Sequence, residues 1–176
     1  LWPCLVLNKI DRLVLELRLS PIDAFYQLRR VIENINALAS TLVKSAVAMA
    51  VSSGQPVDRE ALEELWTFSP PKGNVVFASA YDCWGFSIQK FAAIWSKKLG
   101  LSRQILQKHM FDDFCLNPMT KKLTRYDPLS SSSAVAGDAP KPMFASLVLD
   151  PIWTLYETAV VEQDASKAAK MAARAL

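Results

Sequence analysis

The chain has 176 residues, of which 51% are hydrophobic and 21% charged, a composition typical of one globular domain. Its formal net charge of +3 permits contact with nucleic acid but is too small to indicate it. Three cysteines without a C-x-x-C pair, together with a single histidine, argue against a zinc site. No run reaches the ~18 uninterrupted apolar residues of a membrane span, so we expect no membrane association.

Apolar runs and helix-start signals predict alternating strands and helices in the first half. Residues 3–8 form an unbroken apolar run, as in a strand buried on both faces. Ser20-Pro21 is a helix start, and apolar residues three or four apart continue the helix to about Met49. A short helix over 58–66 precedes a second buried strand over 74–79. This order favours two parallel strands joined by a right-handed crossover.

The second half contains helices, a linker and a further predicted strand. Residues 87–99 are predicted to form an amphipathic helix that ends at Gly100, and Ser102 to begin a short helix. Residues 127–140 are rich in serine and alanine and contain no large aromatic side chain, which predicts a flexible linker. Residues 142–149 are predicted to form a strand, and Asp150-Pro151 to cap the helix after it.

The residues Asn8-Lys9-Ile10-Asp11 follow the first predicted strand and form an N-K-x-D motif. Guanine presents a ring N–H and an exocyclic amine side by side, and the Asp11 carboxylate can accept both hydrogen bonds. Adenine lacks this pair of donors, so binding it would leave a buried carboxylate unpaired at a cost of about 1–3 kcal/mol. Lys9 can lay its methylene stem over the purine, and the Asn8 amide can meet the base edge. The motif therefore predicts a guanine site.

A second motif, Ser79-Ala80, ends the second predicted strand. We expect the backbone N–H near Ala80 to face the guanine oxygen. Ligands bind at the carboxyl ends of the strands in open α/β sheets, so the two motifs are expected to meet at one edge. The alternative interpretation is a polar loop after a strand. The predicted base-binding residues are Asn8, Lys9, Asp11, Ser79 and Ala80.

The phosphate chemistry of a GTPase is missing from these residues. No G-x-x-x-x-G-K-[ST] loop, which would cradle the triphosphate and its Mg²⁺, occurs among the five glycines. We assign no catalytic residue and no metal ligand, and we expect the sole histidine, His109, to be structural. The phosphate-binding half and the Mg²⁺ ligands are expected to precede Leu1.

Three longer segments resemble one family: LVLNKIDRLVLELRLSPIDAF, FSPPKGNVVFASAYDCWGF and KPMFASLVLDPIWTLYETAV. They look like the elongation factor-like GTPases that mature the large ribosomal subunit, which are similar to the eukaryotic translocation elongation factor. The resemblance covers nearly the whole chain except 45–65 and the serine-rich stretch. The pair Ser79-Ala80 favours this family over the translocation factor, which looks like S-G at this turn.

The resemblance implies an α/β fold of the P-loop GTPase type. The chain would supply the C-terminal half of a parallel sheet flanked by helices, with an inserted α+β subdomain. Residues 1–100 would complete the GTP-binding domain, and 101–141 would be the inserted subdomain with its serine-rich linker. Residues 142–176 would continue the insertion or begin the next domain. GTP and Mg²⁺ are the implied cofactors.

The implied function is GTP-driven release of an anti-association factor from the large ribosomal subunit in the cytoplasm. The implied partners are GTP and GDP, the large subunit with its ribosomal RNA, and the Shwachman–Bodian–Diamond syndrome protein. A translocation elongation factor and a non-catalytic ribosome-interaction domain on a GTPase scaffold remain alternatives. The basic residues that could contact RNA are Lys97, Lys98, Arg103, Lys108, Lys121, Lys122 and Arg125.

Overall fold

The computed structural model describes residues 2–117, 120–127, 140–164, 166, 167, 169 and 170. Its strands are β1 (Leu5–Leu7), β2 (Val75–Ser79), β3 (Trp84–Phe86), β4 (Phe114–Leu116) and β5 (Leu123–Arg125). Its helices are α1 (Ile10–Leu15), α2 (Pro21–Ser52), α3 (Arg59–Leu65), α4 (Ile88–Leu99), α5 (Arg103–His109) and α6 (Asp150–Tyr156). The architecture is mixed α/β. The predicted linker lies outside the described residues from 128 to 139.

Three of the strands form one sheet, in the order β1-β2-β3. The strand β1 pairs in parallel with β2, with Leu7 opposite Phe77, which confirms the predicted parallel pair. The third strand pairs antiparallel with β2, with Phe77 opposite Phe86. Sequence reasoning treated β3 as a turn and expected a parallel sheet, whereas the described sheet is mixed. One face of β2 is fully buried through Val75, Phe77 and Ser79.

The long helix α2 is packed against the core in its N-terminal part and exposed towards its C-terminus. The Ser20 hydroxyl oxygen accepts a bond from the Asp23 N–H at 3.2 Å, the predicted N-cap. The last buried residue of α2 is Val43. By length and composition alone α2 could cross a membrane, with a mean hydropathy of 1.4 over a window that is 11% buried. That is weak evidence, because one apolar helix also occurs in soluble proteins. The exposed large apolar residues of its second half are Leu38, Leu42, Met49 and Val51.

Two asparagine side chains fix the loop that leads into β2. Asn36 of α2 accepts a hydrogen bond from the Phe68 N–H at 2.8 Å and donates one to the Phe68 carbonyl at 2.8 Å. Asn74 accepts from the Ser69 N–H and donates to the Thr67 carbonyl, each at 2.9 Å. Because amide side chains match a peptide group with one donor and one acceptor, these pairs place β2 relative to α2.

Residues 143–149 are helical, which corrects the strand predicted over 142–149. Ala145–Leu149 forms a π-helical turn that continues directly into α6. Asp150 therefore lies inside the helix instead of capping it, and its carboxylate accepts bonds from the Lys141 ammonium at 2.9 and 3.2 Å. Pro151 has no N–H to donate, and a π-helical turn beside it accommodates the lost helical bond. A second π-helical turn, Glu157–Val161, follows α6.

One hydrophobic cluster contains residues from each of the three predicted domain ranges, 1–100, 101–141 and 142–176. Phe77 and Phe111 meet Phe144 with ring centroids 4.9 and 4.8 Å apart. Phe86 and Phe91 belong to the same cluster and are buried. The boundaries at 100 and 141 stay predictions.

The Asn36 pair yields a stability prediction. Replacing Asn36 with alanine leaves the Phe68 N–H and carbonyl without partners, so the free energy of unfolding should fall by about 1–3 kcal/mol. The matched control is Asn34→Ala on an exposed position of α2, which should change it by less than about 0.5 kcal/mol. Urea unfolding of both variants and the parent chain measures the difference. Equal losses in the two variants would show that Asn36 does not anchor the loop.

Candidate functional site

A cavity of about 270 Å³ opens where β1 and β2 end. It contains four of the five predicted base-binding residues, and Ser79 is the one that does not line it. The carboxyl ends of the two parallel strands therefore meet as expected from the sheet geometry. The lining residues are Asn8, Lys9, Asp11, Arg12, Leu15, Glu16, Ala80 and Tyr81.

Asn8 joins the two strand ends through one oxygen atom. Its Oδ1 accepts a hydrogen bond from the Lys9 N–H at 2.8 Å and another from the Ala80 N–H at 2.9 Å. The second bond crosses 72 positions in sequence and holds the end of β2 against the end of β1. We expected the Ala80 N–H to face a guanine oxygen. In this structure it donates its hydrogen bond to Asn8.

Asp11 carries the most unusual polar group of the cavity. It lies in the first turn of α1 and is 8% exposed. Its Oδ1 is buried, and no described residue donates a hydrogen bond to it. A buried carboxylate without a donor is destabilising, so its cost is offset when a donor from outside the chain binds it. Asp11 also lines the cavity, so its carboxylate is an acceptor group in the cavity wall.

Lys9 turns the chain sharply between β1 and α1. Its backbone has φ 68° and ψ 36°, the left-handed region that non-glycine residues seldom adopt. Such a conformation costs on the order of 1–3 kcal/mol and is common at functional sites. The turn lets Asp11 follow the strand within four residues and leaves the exposed Lys9 side chain beside the cavity.

Ser79 is fully buried and faces away from the cavity. Its hydroxyl donates to Asp82 Oδ2 at 3.0 Å and accepts from the Asp82 N–H at 3.2 Å. The hydroxyl therefore supports the turn between β2 and β3, and any contribution of Ser79 to base recognition is indirect.

Sequence reasoning missed four lining residues. Arg12 and Glu16 form an ion pair at 3.3 Å on the exposed face of α1, and Leu15 follows on the same helix. Tyr81 is 89% exposed at the rim. The buried pair Ile10 and Leu13, three residues apart, was the available signal for α1.

No protein-family model matches the chain. Ribosome assembly protein 1 of Schizosaccharomyces pombe is 40% identical to it over 156 residues, which cover 89% of this chain and 15% of that protein. Human elongation factor-like GTPase 1 is 37% identical over 96% of this chain and 16% of its own length. The chain belongs to this family of elongation factor-like GTPases.

The family match extends across the candidate site. Ribosome assembly protein 1 of Saccharomyces cerevisiae is 36% identical over 98% of this chain, an alignment long enough to contain both motifs. The chain spans about a sixth of the length of these elongation factor-like relatives. The resemblance drawn from the residues alone is therefore confirmed at the level of the family.

The unpaired carboxylate generates a stability prediction that needs no ligand. Asp11→Asn removes a buried charge while preserving shape, so the free energy of unfolding should rise by about 1 kcal/mol. The control Glu60→Gln neutralises an exposed carboxylate and should leave stability unchanged. Urea unfolding near neutral pH measures both. A clear loss of stability in Asp11→Asn would show that the carboxylate already has a partner in the free chain.

Proposed function

We propose that this chain supplies the guanine-binding half of the GTP-binding domain of a longer translational GTPase. The observation that carries the proposal is the buried Asp11 carboxylate, whose Oδ1 has no donor among the described residues, inside a cavity at the ends of two parallel strands. The ring N–H and exocyclic amine of guanine are two adjacent donors that one carboxylate can bind together. Adenine offers no such pair.

The neighbouring residues fit supporting roles. The Lys9 stem covers one face of the base with its ammonium in water. Asn8 keeps the two strand ends together through its bond from the Ala80 N–H, and we propose that this N–H also faces the guanine oxygen. Ser79 supports the turn after β2 by donating a hydrogen bond to Asp82.

GTP hydrolysis and Mg²⁺ binding are assigned to another part of the longer protein. Among the described residues no group of three or more His, Cys, Asp or Glu side chains could hold a metal ion. We assign no magnesium ligand and no step of hydrolysis to these residues. GTP and GDP are the proposed ligands of the complete domain.

Asp11→Asn in the full-length protein tests the base assignment. The new amide places a donor against the guanine amine, so GTP should bind tens to thousands of fold more weakly, at about 1–3 kcal/mol for each of two mismatches. Xanthine carries an oxygen where guanine carries the amine, so xanthosine triphosphate should bind better than GTP. Fluorescent-nucleotide titrations measure both affinities.

The matched control for this titration is Glu16→Gln, which neutralises an exposed carboxylate of the same cavity. It should leave the preference for GTP unchanged. Unaltered GTP affinity in Asp11→Asn would remove the base assignment.

For the cellular role we propose late cytoplasmic maturation of the large ribosomal subunit. The names of the similar proteins, ribosome assembly protein 1 and elongation factor-like GTPase 1, support a GTPase of ribosome assembly. Within it we propose GTP-driven release of an anti-association factor, with the Shwachman–Bodian–Diamond syndrome protein as partner. The Ser79-Ala80 pair favours this role over translocation.

The proposed contact with ribosomal RNA is a basic surface around the end of α4. Residues 97–125 carry seven lysine and arginine side chains against two aspartates. All seven residues are exposed. The Lys121 ammonium lies 3.9 Å from the position that a Cβ on Gly100 would take, so the paired strands β4 and β5 bring it to the end of α4, whose last turn carries Lys97 and Lys98. A concentration of positive charge of this kind matches RNA phosphates.

Charge reversal tests this surface. The double variant Lys97→Glu/Lys121→Glu should weaken binding of the full-length protein to large subunits and lower the salt slope of log K by about 1 for each lost phosphate contact. The control Arg30→Glu/Lys44→Glu changes the same charge on exposed positions of α2 and should have little effect. Filter binding across a salt series measures the slopes. Equal slopes in the two variants would refute the assignment.

A further inference from the structure

Four hydrogen bonds form a network at the turn after β2, and two of them link the turn to α6. The Trp84 indole N–H donates to Tyr156 Oη at 2.9 Å, and the Tyr156 hydroxyl donates in turn to Asp82 Oδ2. The same carboxylate oxygen accepts the Ser79 hydroxyl at 3.0 Å. The Asp82 N–H closes the ring by donating to Ser79 Oγ at 3.2 Å. We call these residues, Ser79, Asp82, Trp84 and Tyr156, the turn network.

The turn network supports the turn that contains Ala80, whose N–H is the proposed contact to the base. Ser79 and Trp84 are paired across β2 and β3, so residues 80–83 form the closing turn of a hairpin. Ala80 is its first residue, and Cys83 adopts φ 56°, a conformation that needs outside support in a non-glycine residue. Two hydroxyls hold the Asp82 carboxylate, so the turn that carries Ala80 is fixed on one side by these bonds and on the other by the bond from the Ala80 N–H to Asn8.

The setting of the turn network keeps its bonds in place. Tyr156 is 8% exposed and Ser79 fully buried. Asp82, Trp84 and Tyr156 lie at the edge of a second cavity of about 330 Å³, between the hairpin and α6. Burial, and then the hydrogen bond to Asp82, raise the pKa of the Tyr156 phenol well above its ordinary value of 10.0. The phenol therefore stays protonated and continues to donate at physiological pH.

The same helix also supports the opposite wall of the base cavity. The Trp153 indole N–H donates to the Leu19 carbonyl at 2.7 Å, in the segment that follows α1. Three residues further along α6, Tyr156 reaches the turn after β2. One rigid helix thus contacts the β1–α1 side, which carries Asp11, and the β2–β3 side, which carries Ala80.

We propose that Asp82 and Tyr156 are positioning residues for the guanine site, because they fix the Ala80 N–H at the distance from Asp11 that the base requires. This inference rests on the proposed guanine-binding function. Neither residue lines the base cavity, so each acts through the turn. Loss of the Tyr156 hydroxyl should weaken the contact at the 6-oxygen of the base and leave the Asp11 contacts in place.

The test compares Tyr156→Phe with Trp95→Phe in the full-length protein. Trp95 is a matched control because its indole N–H makes a part-buried bond of 2.8 Å to the Leu147 carbonyl, and neither residue belongs to the turn network. GTP and 6-thio-GTP, which differ only at the atom facing Ala80, are titrated against each variant. In Tyr156→Phe the GTP affinity should fall about two- to tenfold, with the preference for GTP over 6-thio-GTP moving towards one. Trp95→Phe should keep the parental preference.

A second readout follows the turn itself. Amide hydrogen exchange over residues 80–83 should become faster in Tyr156→Phe and stay unchanged in Trp95→Phe. Unchanged exchange, or an equal loss for both nucleotides, would overturn the positioning role. The Asp11→Asn titration distinguishes failure of the positioning role from failure of the guanine assignment. If Asp11→Asn loses GTP and Tyr156→Phe does not, only the positioning role fails. If Asp11→Asn has no effect, the guanine assignment fails and this inference fails with it.

Discussion

The bond from the Ala80 N–H to Asn8 Oδ1 is the constraint on which the candidate site depends. Parallel pairing brings the ends of β1 and β2 to one edge, but backbone ladders stop at Leu7 and Phe77. Beyond these residues the Asn8 side-chain oxygen, instead of backbone pairing, holds the loop after β1 against the loop after β2. The position of Asp11 relative to Ala80 then follows from a short turn on one side and a hairpin on the other. A side chain at position 8 without an acceptor oxygen would leave both N–H groups to solvent and remove the link between the strand ends.

The site is built at the expense of local stability. A left-handed lysine and a buried carboxylate without a donor each oppose folding, and both lie within the same four residues. The surrounding aromatic core and the asparagine-anchored loop offset these costs. This division, with strain at the proposed site and consistent packing elsewhere, is typical of binding sites whose polar groups are completed by a ligand.

Much of the site was predictable because its signals are local. The motif Asn8-Lys9-Ile10-Asp11 and the two apolar runs around the crossover placed the cavity correctly. The strand predicted over 142–149 was wrong because a short apolar run has the same composition in a buried strand and a buried helix. Its buried residues Phe144 and Ala145 lie four and three positions before Val148, as on one face of a helix. Which residues of the run are buried is known only from the structure. The turn network was out of reach because Tyr156 lies 74 positions from Asp82.

The outer half of α2 has a different kind of stability from the rest of the molecule. Past Val43 the helix has no core to fill, so its residues are held by backbone bonds and intrinsic propensity alone. The alanines at 46, 48 and 50 suit that condition, and a glycine there would cost about 1 kcal/mol. No residue of this half belongs to the buried core. Its sequence is therefore constrained by helix propensity, and side-chain volume there is free to vary.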